Sequence, residues 1–149
     1  MSSVMSTNGG RVRQFMSVME QDRDIYMLGE TEVIEPLLSL RSRLCAEETE
    51  ELENAVESFF IANDADGREA AFTDIVDGLA DLLYVTYGFC HAFGIDPDRI
   101  VENVHMSNMT KLCADGRPVY REDGKVIKPS TYMPPDWSGF VDNYKEVYN

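Results

Sequence analysis

The sequence predicts an all-α bundle of four to five helices, with a small C-terminal β-hairpin and an irregular tail. Apolar residues recur every three or four positions over long windows, the signature of helices with one buried face. Glycine and Asp-Pro pairs punctuate those windows where helices end and begin. Only the stretch around Asp123-Gly124 reads as a strand pair. At 149 residues, 44% hydrophobic and 27% charged, the chain can bury one sizeable core, and residues 1–149 read as a single domain.

Residues 1–9 are rich in Gly and Ser and are expected to be flexible. "RVRQFMSVMEQ" follows, with Val12, Phe15, Met16 and Met19 at helical spacing. "GETEV" is turn-like, and Pro36 suits the first turn of a second helix running to about Phe60, with Leu37, Leu40, Leu44, Ala55, Val56 and Phe59 directed inward. After the break at "NDADG", a third helix fits about Glu69 to Phe93 and is stopped by Gly94. A fourth begins near Asp96-Pro97 and ends by Gly116. Residues 117–149 hold the expected hairpin, Val119-Tyr120 against Val126-Ile127 across a type I′ turn, and then a strap containing Pro134, Pro135 and Trp137.

No run approaches eighteen consecutive apolar residues, and the first ten residues have no basic and apolar leader pattern, so a cytoplasmic protein with no membrane partner is expected. Cys45, Cys90 and Cys113 are odd in number and lack CxxC spacing, which argues against a disulfide framework or a zinc site. The net charge of −14 argues against nucleic acid as a partner. Its distribution is uneven: twelve of 27 acids lie between Leu44 and Asp81, whereas Lys111, Arg117, Arg121, Lys125 and Lys128 form a basic limb.

The acids of "AEETEELENAV" fall on specific helix faces. With Leu44 at zero on a wheel of about 100° per residue, Glu48 lies at about 40°, Glu51 at about −20° and Glu47 at about −60°. Glu48 and Glu51 thus share the leucine face, and Glu50 and Glu53 point away. In the third helix Asp74, Asp77, Gly78 and Asp81 share a stripe with Val85, Gly88, Phe89 and Ala92. Carboxylates gathered without counter-charge raise one another's pKa. Neither stripe offers a Lys or Arg, and oxygen-only donors select hard divalent ions such as Mg²⁺ or Mn²⁺. A di-iron bundle is the rival metal reading, but Glu102 and His105 supply just one of its two Glu-x-x-His pairs, and Gly88 stands where His91 would need its acid.

"RSRLCAEETEELENAV", "DIVDGLADLLYVTYG" and "VHMSNMTKL...DGRPVYREDGKVIKP" occur in that order. Together they resemble the all-α nucleoside triphosphate pyrophosphohydrolases, in the MazG-like and phosphoribosyl-ATP pyrophosphohydrolase-like branch of bacteria and phages, from about Arg41 to Pro135. The resemblance implies cleavage between the α and β phosphates with two or three Mg²⁺ ions, Mn²⁺ substituting. Its E-E-x-x-E segment falls on Glu47, Glu48 and Glu51, implied to be both catalytic and metal-binding. Its E-x-x-D segment falls on Asp74 and Asp77, with aspartate in place of glutamate at position 74; a shifted register through Gly78 makes Asp81 the alternate ligand.

A substrate of about −4 charge approaching an acidic protein needs local cations. Lys111, Arg117, Arg121, Lys125 and Lys128 are candidates for its phosphates, with His105 and Asn108 set one turn apart from Lys111. For the base, the first helix offers an apolar slot from Phe15, Met16, Met19 and Tyr26, with Gln14, Asp22 or Asp24 reading its edge. A carboxylate edge-reader favours guanine, as does the resemblance to a phage branch acting on deoxyguanosine triphosphate, which makes (d)GTP to (d)GMP the expected reaction and a phage-encoded enzyme of the host cytoplasm one setting. Hydrolysis of dUTP or damaged nucleotides is the alternative, and a non-catalytic helical module a further one. The resemblance also implies a homotetramer, with a dimer second. Gly78, Gly88 and Ala92 form a small-residue stripe that suits close helix approach, between subunits or within one chain.

Overall fold

The computed structural model describes residues 7–21 and 31–148. Five helices form among these: α1 (Asn8–Val18), α2 (Thr31–Ile61), α3 (Ala65–Ala92), α4 (Pro97–Met109) and α5 (Ser138–Tyr148). The fold is all-α. The chain divides into two compact units at Ile95/Asp96.

In the first unit α3 packs on both α2 and α1. The helix ends follow their capping residues. Thr7 accepts from the Gly10 amide at 3.1 Å and starts α1; Asp64 accepts from the Gly67 amide at 2.8 Å and starts α3. α1 therefore begins inside the segment expected to be loose: Asn8 and Gly9 are helical, and Gly9 is buried. α3 ends in a Schellman turn, with the Gly94 amide on the His91 carbonyl, the Ile95 amide on that of Cys90, and Gly94 at φ +67° as this turn requires.

α2 departs from expectation at its start. It begins at Thr31, so Pro36 lies inside the helix rather than in its first turn. The buried side chains of this unit are Val12 and Met16 of α1, Leu37, Arg41 and Ala55 of α2, and Ala71, His91 and Ala92 of α3. Arg41 overturns the expectation that neither acid-bearing stripe carries a cation. It is 7% exposed, and its guanidinium reaches α3 beside Gly88, where a Cβ would lie 3.5 Å away. The small-residue stripe acts within the chain: Gly78 meets Leu52, Gly88 meets Arg41, and Ala92 is fully buried. His91 joins α3 to α1, its Nε2–H donating to the Gly9 carbonyl at 2.8 Å and Nδ1 facing the Arg13 guanidinium at 3.5 Å.

In the second unit Asp96 caps α4 on the Asp98 amide, with Pro97 at the helix start. The expected hairpin does not form strands. Its remnant is one antiparallel bridge, Tyr120 to Val126, around Gly124 at φ +79°. Ladder bonds flank the bridge, from the Arg121 amide to the Lys125 carbonyl at 2.8 Å and from the Ile127 amide to the Val119 carbonyl at 2.7 Å, and beyond them stand Pro118 and Pro129, which have no amide hydrogen to continue the ladder. Within the turn the Asp123 carboxylate binds the Arg121 guanidinium and the Lys125 amide. The strap is fastened to α4 at 103, 107 and 110, one turn apart. Asn103 exchanges two hydrogen bonds with the Asp136 backbone, Ser107 donates to the Met133 carbonyl at 2.8 Å, and Thr110 accepts from the Met133 amide at 2.9 Å. The tail then forms α5, where an irregular end was expected; Arg99 of α4 stacks over its Phe140 ring at 5.5 Å.

Candidate active site

α2 and α3 approach closely at Gly78. A Cβ there would stand 3.2 Å from the Leu52 Cα, so the two backbones meet with no side chain between them. The acids flank this crossing. Glu51 of α2 and Asp74 and Asp77 of α3 line a hollow of about 300 Å³, together with Asn54, Ala55, Ser58 and Gly78.

Glu48 lies one turn before Leu52, half-buried, and its carboxyl titrates above the ordinary 4.5. Burial is the main cause, followed by the charges of Glu51, Asp81, Glu47 and Asp77. Acids of both helices therefore bear on the Glu48 carboxyl. Glu51, Asp74, Asp77 and Asp81 are more exposed than their placement on the apolar faces implies, because the inward line of α2 runs through half-buried Leu52 and buried Ala55 and leaves Glu51 at its edge. Glu47 is turned outward, 3.6 Å from Arg43 in an exposed i,i+4 pair. Among the described residues no three His, Cys, Asp or Glu side chains stand close enough to hold one metal ion. The donors are nonetheless all carboxylates on two facing helices, the chemistry that hard divalent cations take.

The basic candidates all lie in the second unit and fall into two groups. Lys111 donates to Asn108 at 2.7 Å, and Lys128 lies 4.5 Å from the Tyr132 ring centre. A hydrogen bond from Ser107 pulls the Tyr132 phenol below its usual range, with Lys128 and Lys111 adding to the effect. Lys111 and Lys128 thus converge on Tyr132, a residue the sequence reading had not singled out. Arg121 is tied to Asp123, and the Arg117 amide donates to Asp115 at 3.0 Å. His105 and Lys125 are exposed. The di-iron reading loses its residues: Glu102 and His105 face solvent, and His91 is held by Gly9 and Arg13.

Of the proposed base slot, Phe15 packs edge-on against Tyr84 of α3, with ring centres 5.5 Å apart. Met16 is core, and Gln14 and Met19 are exposed. Asp22, Asp24 and Tyr26 lie outside the described residues.

Two long helices pressed together at a glycine, with carboxylates of both facing across the crossing, define an all-α acidic-site bundle. The profile of the phosphoribosyl-ATP pyrophosphohydrolase family matches residues 12–108, a span covering α2 and α3 and most of α1 and α4, and the chain belongs to that family, within the MazG-like all-α pyrophosphohydrolases. Membership places it among nucleotide pyrophosphohydrolases in general. No match is found among curated proteins. No helix among the described residues is long and apolar enough to cross a membrane.

Proposed function

We propose that the protein hydrolyses a nucleoside triphosphate to the monophosphate and pyrophosphate at the carboxylates between α2 and α3. The observation that carries this reading is the placement of Glu51, Asp74 and Asp77 around one hollow at the Gly78 crossing, with Glu48 one turn before Leu52 on α2. Mg²⁺, or Mn²⁺ in its place, is the cofactor these donors suit, two or three ions per site by likeness to the family; bound there, such ions neutralise the triphosphate and lower the pKa of a water. Glu48, Glu51, Asp77 and Asp74 are the proposed metal ligands, Asp81 their alternate, and Glu47 a group for a further ion or for placing the water. In hydrolysis a water oxygen bonds the α phosphorus as the bond from that phosphorus to the bridging oxygen breaks; the water gives up its proton to the neighbouring carboxylates, and pyrophosphate leaves with the bridging oxygen.

Lys111 and Lys128 are the second unit's candidate cations for the outer phosphates, because among the described residues neither is paired with a carboxylate. Arg121 is the weakest of the proposed set, since Asp123 already occupies its guanidinium. We also propose a homo-oligomer, a dimer or a dimer of dimers. Phe72, Val76 and Leu79 of α3 are each roughly half exposed or more and recur at 4-3 spacing, the seam by which one helix packs on another.

The test is incubation of purified protein with each nucleoside triphosphate and Mg²⁺ or Mn²⁺, deoxyguanosine triphosphate first. Monophosphate and pyrophosphate are the expected products. Diphosphate and inorganic phosphate, or no turnover of any triphosphate, refute the reading.

A further inference from the structure

A second concavity of α3 lies toward α1. This groove of about 250 Å³ is walled by Asn8, Arg11 and Val12 on one side and by Ala80, Leu83, Tyr84 and Tyr87 on the other. Resting on the pyrophosphohydrolase reading, we propose that it is the base subsite of the nucleotide and that it takes a 6-oxopurine.

Its position fits first. Asp77, Asp81 and Tyr84 follow one another at i, i+4 and i+7, on one face of α3. At 1.5 Å of rise per residue, Tyr84 stands about 4.5 Å beyond Asp81 along the axis and about 10.5 Å beyond Asp77. A nucleotide whose α phosphate lies at the aspartates has its sugar and base extended over such a span. Running the other way along α3 leads to the more polar surface of Asp66, Glu69 and Thr73, which carries no aromatic ring.

The chemistry of the walls fits second. Tyr84 and Tyr87 supply flat apolar surface of the kind bases stack on, and the edge-on contact of Phe15 fixes the Tyr84 ring. Asn8, Arg11 and Phe15 share one face of α1, which brings a polar pair alongside that ring. Arg11 donates one N–H to Asn8 Oδ1 at 2.8 Å, which sets the guanidinium in place. A guanidinium has five N–H donors in a fixed fork that matches two adjacent acceptors. Guanine and hypoxanthine present O6 and N7 side by side; adenine presents a donor at C6, and pyrimidines have no such pair. This places base reading on Arg11 rather than on the Gln14 and Met19 end of α1.

The experiment measures kcat/KM with Mn²⁺ for deoxyguanosine, deoxyadenosine and thymidine triphosphates and for base-free 2-deoxyribose 5-triphosphate. It compares the wild type with Arg11→Gln, Tyr84→Ala and Tyr84→Phe. Arg11 is exposed, so its replacement leaves the fold intact. Arg11→Gln is expected to lower the guanine substrate by about tenfold or more through KM, to leave the base-free substrate unchanged and not to lower the adenine one, because a glutamine amide matches adenine's own edge. Tyr84→Ala should lower every base-bearing substrate, and Tyr84→Phe should restore them. Equal effects of Arg11→Gln on all four substrates, or none, overturn the base subsite and leave the pyrophosphohydrolase reading standing. So does wild-type cleavage of the base-free substrate as fast as the guanine one. A change of oligomeric state on Arg11→Gln, read by light scattering, would make the groove a subunit contact and overturn the proposal. A wild type that cleaves no triphosphate overturns both.

Discussion

A Cβ placed on Gly78 of α3 would lie 3.2 Å from the Cα of Leu52 in α2. The obstacle is backbone, which cannot swing aside as a side-chain tip does, so any larger residue pushes the two acid-bearing helices apart. Gly78→Val is expected to cost about 1–3 kcal/mol of stability by overpacking, and to weaken Mn²⁺ binding because Glu51 and Asp77 face each other across that crossing. Thermal melts and Mn²⁺ titration check it; an unchanged Mn²⁺ affinity would separate the crossing from the site.

The two aspartate registers make different predictions. Asp77 both lines the hollow with Glu51 and raises the Glu48 pKa, whereas Asp81 does just the second. Asp77→Asn should therefore lower kcat by more than Asp81→Asn does. The reverse order in steady-state pyrophosphate release would favour the register through Gly78.

In metal-free protein Glu48 holds its proton at a higher pH than its ordinary value of 4.5. The folded state thus binds more protons than the unfolded chain between 4.5 and the raised value, and this group's contribution to stability falls as pH rises through that window. Below 4.5 the contribution is fully present. Glu48→Gln should flatten the pH dependence of the melting temperature in EDTA over that range. A slope identical to wild type would mean that neither burial nor the neighbouring acids raise this carboxyl.

Much of this arrangement is legible in the sequence. The acid stripes stand out because a helical period forces residues three and four apart onto one face, and the Gly94 stop and the Asp96-Pro97 start are local backbone chemistry. Arg41 was missed because a long side chain can cross to the neighbouring helix where a glycine leaves room, and wheels do not show what stands opposite. The hairpin is shorter than the sequence suggests because Asp123-Gly124 encodes the turn alone, and Pro118 and Pro129 leave no amide hydrogens to extend the pairing beyond Val119 and Ile127. The binding of Tyr132 and Met133 to α4 depends on residues more than twenty positions apart, beyond the reach of periodicity.

The lysines converging on Tyr132 should behave differently from Arg121. Lys111→Met and Lys128→Met are each expected to raise KM for the triphosphate several-fold while leaving the fold intact, as loss of a charge-assisted phosphate contact does. Arg121→Met should alter KM less, since its guanidinium is already held by Asp123. Steady-state kinetics on the three variants decide it; equal effects would disprove the division.

The most direct test of the central claim, that facing carboxylates of α2 and α3 hold the catalytic cation together, is Mn²⁺ titration followed by electron paramagnetic resonance on wild type, Glu48→Gln and Asp77→Asn. Both variants should bind Mn²⁺ at least about tenfold more weakly, a loss of about 1.4 kcal/mol or more, with helical circular dichroism unchanged. Wild-type affinity in either folded variant would contradict the claim.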